Sequence, residues 1–81
     1  MDIENLVKMA NNIADFFKAE PEHAAAVEGV ADHLRRFWES RMRLAIVKHY
    51  QAGGTGLSEI ASDAVALLAK EQETPAQAGH G

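Results

Sequence analysis

The chain has 81 residues, no cysteine, and eight basic against twelve acidic side chains, for a formal net charge of −4. This length admits one small domain, which buries only about 60% of the surface its unfolded chain exposes. Disulfides and thiolate metal sites are excluded, and the acidic balance argues against a protein devoted to nucleic acid. No apolar run approaches the ~20 residues of a membrane span. The opening MDIENLVK begins with acids rather than a basic segment, so a soluble, cytoplasmic protein is expected.

In chain order, Ile3, Leu6, Val7, Ala10, Ile13, Ala14 and Phe17 recur at helical spacing. They predict a first helix over about 2–19, capped by Asp2, with Glu4 at the positive end of its dipole. Pro21 ends that element and suits the first turn of the next. A second stripe follows in Val27, Val30, Ala31, Leu34 and Trp38, with Phe37 at its edge. Gly29 inside it either weakens the helix or permits a close approach. Ser40 is the expected N-cap of a third helix from Arg41 to about Gln51. AGGTG, residues 52–56, breaks the chain. Ser58 then caps a fourth helix whose Leu57, Ile60, Ala61, Ala64, Val65 and Leu68 share a face. Beyond about Lys70 the pattern turns polar and aperiodic, as in a flexible tail over 71–81. The expected fold is all-α: a small bundle of about four short helices in a domain over 1–70.

Charge is unevenly placed. From His33 to Tyr50 five cations face one acid, a local net of +4, while the remainder holds three lysines against eleven acids, a net of −8. The stretch HLRRFWESRMR puts four arginines around a Phe-Trp pair. Leu34, Trp38 and Met42 are expected in the core. Arg35, Arg36, Phe37, Arg41 and Arg43 read in two ways. The arginines form either a solvated face paired with Asp32, Glu39 and acids of other helices, or a planar-donor cluster gripping carboxylates or phosphates of a partner, and Phe37 is divided between core and partner contact. In the third helix Met42, Ala45, Ile46 and His49 face one way, and Leu44 and Val47 nearly the opposite way. Such a helix lies between layers or is covered by a partner, and Leu44 and Val47 are taken as partner-facing. Met9 and Phe16, one heptad apart, also stand outside the first helix's main stripe.

No catalytic constellation is apparent, and GGTG lacks the lysine and spacing of a phosphate loop. The four histidines, His23, His33, His49 and His80, show no HExxH-like spacing, so no metal site is expected. The chain is not expected to be an enzyme by itself.

The opening MDIENLVKMANNIADFF, the block GVADHLRRFWESRMR and the later GGTGLS resemble the delta subunit of NAD-dependent, molybdenum-containing formate dehydrogenases. The resemblance runs from Met1 to about Leu68 and is most specific at His33–Trp38 with Arg41-Met42. Ser40 stands where that family frequently has proline, and both suit a helix start. The resemblance implies a small accessory subunit, without a redox centre, of an enzyme that oxidises formate to CO2 and reduces NAD. Its catalytic alpha subunit would carry a molybdenum bis-pterin guanine dinucleotide and iron–sulfur clusters, and its beta subunit flavin mononucleotide (FMN). The role implied is stabilising the complex or assisting molybdenum-cofactor insertion, with the Arg/aromatic block meeting the alpha subunit. Two alternatives remain open: a helix-turn-helix-like nucleic-acid module around WESR, and a self-associating homo-oligomer closed by Leu44 and Val47.

Overall fold

A computed structural model describes residues 2–78, with side chains placed for 2–72. Four helices follow in order: α1 (Ile3–Phe17), α2 (His23–Phe37), α3 (Ser40–Gln51) and α4 (Glu59–Ala78), with no strand among the described residues. The all-α architecture is therefore the one its periodicity predicts. No described helix is long and apolar enough to cross a membrane.

Local chemistry sets the boundaries. The Asp2 carboxylate accepts from the Glu4 N–H at 3.1 Å and caps α1. Pro21 lies just outside α2 rather than in its first turn. Glu22 is extended (φ −94°, ψ 120°), and the helix starts at His23. Trp38 is likewise outside α2. Its backbone is extended (φ −88°, ψ 139°), yet its N–H still donates to the Leu34 carbonyl at 3.1 Å and its indole is buried. Thus Trp38 packs at the corner between α2 and α3 rather than along the helix stripe. Ser40 is the first residue of α3, with Glu39 in the cap position. α4 continues past Lys70 to Ala78, and the expected tail falls mostly outside the residues with described side chains.

α3 ends where Gly53, Gly54 and Gly56 take positive φ (124°, 65° and 91°), conformations that side-chain-bearing residues avoid. The loop is held from outside. His49 Nε2 donates to the Thr55 carbonyl at 2.8 Å, and Asn11 of α1 bonds both Gly56 and Ser58. Ser58 Oγ accepts from the Ala61 N–H at 3.3 Å, the expected cap of α4.

α2 has its broadest contact with α4, and α3 packs against both α4 and α1. The core combines Leu34, Ile46, Leu68, Val30 and Val65 with alanines at 10, 14, 31, 61 and 64, each at most 2% exposed. Such small residues bring helix axes close. Gly29 carries this furthest: a Cβ there would lie 2.5 Å from Phe17 Cε1, so the Phe17 ring lies directly on the α2 backbone. That contact positions the aromatic surface described next.

Candidate docking face

The arginine-rich block folds largely onto its own chain. Arg35 Nε donates to both oxygens of Glu71, at 2.9 and 3.0 Å, and its Nη2 also pairs with that carboxylate. The hydrogen bond that Arg35 donates to Glu71 holds its guanidinium above the ordinary arginine pKa, partly opposed by desolvation. Asp32, one turn back, lies 3.8 Å from Arg35 and 3.1 Å from Arg36. Arg43 is half-buried. Its Nη1 donates to the main-chain carbonyls of Arg35 (3.3 Å) and Trp38, and its Nη2 to Ser40 Oγ at 3.3 Å. A guanidinium thus covers the open carbonyl end of α2. Arg41, 3.9 Å from Glu39, is the most exposed of the four, with 82% of its side chain accessible.

Leu34 and Trp38 are core residues, and Met42 packs against that core. Val47, taken as partner-facing on the sequence pattern, is 3% exposed. The correction has a simple cause. α3 lies against both α1 and α4, so two of its sides are covered within the chain, and Val47 offers no surface to another molecule. Leu44 remains half-exposed.

The large exposed hydrophobics among the described residues are Phe16 (82%), Phe37 (70%) and Leu44. Phe16 packs edge-on against Phe17, centroids 5.7 Å apart, and the His33 and Phe37 rings lie 4.7 Å apart. A groove of about 330 Å³ connects the pairs, lined by Asn12, Ile13, Phe16, Phe17 and His33. Phe16, Phe17, His33 and Phe37 therefore form one aromatic face across α1 and α2. Of these only Phe37 was legible as a partner contact. The signal for Phe16 was its position off the main stripe; Phe17 and His33 gave none, because their placement depends on the approach at Gly29.

The fold defines a small four-helix domain, with its core closed by alanines and its exposed aromatics gathered on one face. A family model described as "NADH-dependant formate dehydrogenase delta subunit FdsD" matches residues 5–65, and the chain belongs to that family. No curated protein and no solved structure matches it. Membership makes it an accessory subunit of an NAD-dependent formate dehydrogenase, associated with other subunits of that complex.

The cofactors implied for the complex can be compared with this chain's surface. A molybdenum bis-pterin guanine dinucleotide is large and carries phosphates, which need a deep, cation-lined cleft. The described grooves hold about 150–330 Å³, and the one between α1 and α2 is lined by Asn12, Ile13, Phe16, Phe17 and His33. The neighbouring guanidiniums of Arg35 and Arg43 are engaged within the chain. No arginine lines any of the described grooves, so none of them is the cation-lined cleft that cofactor needs.

Proposed function

We propose that this chain is a non-catalytic assembly subunit that docks on the alpha subunit through the Phe16–His33–Phe37 face and stabilises the complex during or after cofactor insertion. The carrying observation is the aromatic face itself. Two phenylalanines at 82% and 70% exposure are costly to leave in water and belong to the aromatic class enriched at interface cores. Arg36 and Arg41, the outward-reaching members of the block, and half-exposed Leu44 are the further contacts of this reading. Arg35 and Arg43 act within the chain by shaping the corner that presents Phe37. FMN, iron–sulfur clusters, the molybdenum cofactor and NAD belong to the other subunits.

The test is co-expression of the complex with Phe16→Ser plus Phe37→Ser. Loss of co-purification with the alpha subunit, with the isolated chain's melting unchanged, is expected. Wild-type recovery of the complex would remove this face from the interface.

A further inference from the structure

His23 opens α2, and Glu59 and Asp63 stand one turn apart at the start of α4. His23 Nε2 lies 2.8 Å from Asp63 Oδ2, and one donor atom from each of the three residues lies within 4.8 Å of the others. We propose that His23, Glu59 and Asp63 form a surface site for a divalent transition cation of the zinc class. This site goes beyond the docking role.

Three features carry the inference. The donor set is one imidazole nitrogen and two carboxylates, which suits a borderline divalent metal better than calcium or magnesium. The donors come from helix positions, and α2 and α4 form the broadest helix contact in the chain, so packing rather than a loop sets their separation. Finally, two carboxylates one turn apart on a helix repel. Among the described residues Glu59 makes no ion pair and Asp63 pairs only with His23. Lys18 lines the same shallow hollow as Glu59, but its Nζ lies 3.8 Å from Asp15.

The positive ends of both helix dipoles oppose a cation here, and the two carboxylates supply the negative charge that offsets them. In the metal-free chain His23 Nε2 donates to Asp63. On binding, the ring proton resides on Nδ1, the Nε2 lone pair turns to the metal, and the carboxylate oxygens close in to about 2.0–2.2 Å from it. A three-residue site leaves a fourth position for water.

The test is calorimetric titration of the full, tag-free chain with Zn2+, repeated on His23→Ala and Glu59→Gln. Glu59 makes no side-chain hydrogen bond or ion pair among the described residues, so Glu59→Gln leaves the His23–Asp63 link and the helical spectrum intact. Saturable 1:1 binding is expected, weakened on the order of 10–100-fold in each variant. A Zn2+-induced rise in melting temperature should accompany it in the parent chain and be clearly smaller in Glu59→Gln at the same Zn2+ concentration. No saturable binding, or parental affinity in both variants through other histidines, overturns the site.

Discussion

Asn11 and Ser58, 47 residues apart in sequence, are joined by the Asn11 carboxamide, whose Oδ1 accepts from the Ser58 N–H at 2.8 Å. The same group donates from Nδ2 to the Gly56 carbonyl at 2.9 Å. One side chain of α1 thus serves a donor and an acceptor of the glycine loop, as a neighbouring strand would, and sets where α4 begins.

Asn11→Leu removes both bonds. A loss of about 1–2 kcal/mol is expected, since a part-buried N–H loses its partner. In a chain of this size that lowers the melting temperature by roughly 5–15 °C. Thermal circular dichroism measures it, and an unchanged midpoint would show that the loop holds itself. Asn11→Asp should be intermediate: it can still accept from Ser58, but it turns a carboxylate toward the Gly56 carbonyl.

Trp38→Ala opens the corner between α2 and α3 and should cost about 3–5 kcal/mol, enough to unfold much of so small a domain. Retention of the native helical signal and midpoint would contradict the packing described for the indole.

Gly29→Ala gives a sharper result because two effects compete. Alanine improves an isolated helix by about 1 kcal/mol. Here its methyl meets the Phe17 ring, and overpacking of this kind costs about 1–3 kcal/mol. Net destabilisation is expected, and it should shrink when Gly29→Ala is combined with Phe17→Leu. Additive effects in that double-variant cycle would mean the two positions do not touch.

The Arg35–Glu71 pair carries a pH prediction. Because the folded pKa of Arg35 is raised, its contribution is fully present below the ordinary arginine pKa and disappears only as pH climbs through the higher folded value. Between about pH 8 and 10, therefore, Glu71→Gln should change stability by a constant amount, about 1 kcal/mol or less for a part-exposed pair. Denaturant titrations of both proteins across that range check this; a difference that fades with rising pH would contradict it.

The helices were legible because their apolar residues repeat every three or four positions and their breaks carry Pro21 and the AGGTG run. The Trp38 corner was not, because the residue that covers the end of α2, Arg43, acts through tertiary hydrogen bonds that leave no periodic trace. Val47 misled for a related reason. A helical wheel cannot tell a face covered by α1 or α4 from one awaiting another protein. The aromatic face was half visible: Phe37 by its neighbours and Phe16 by its offset, while the groove joining them depends on how closely α1 approaches Gly29. The resemblance carried by HLRRFW and RM identified the family correctly, although two of its four arginines look inward.

Intramolecular pairing of these arginines also bears on how quickly the chain meets a partner. A guanidinium already neutralised by Glu71 or Asp32 projects little field beyond a few ångströms, so the +4 segment should attract far less at a distance than its formal charge implies. Encounter would then proceed at the roughly 10⁵–10⁶ M⁻¹s⁻¹ of unsteered proteins and respond weakly to salt. In the proposed docking, the depth to which Phe16 and Phe37 are covered would set the residence time and so the lifetime of the complex.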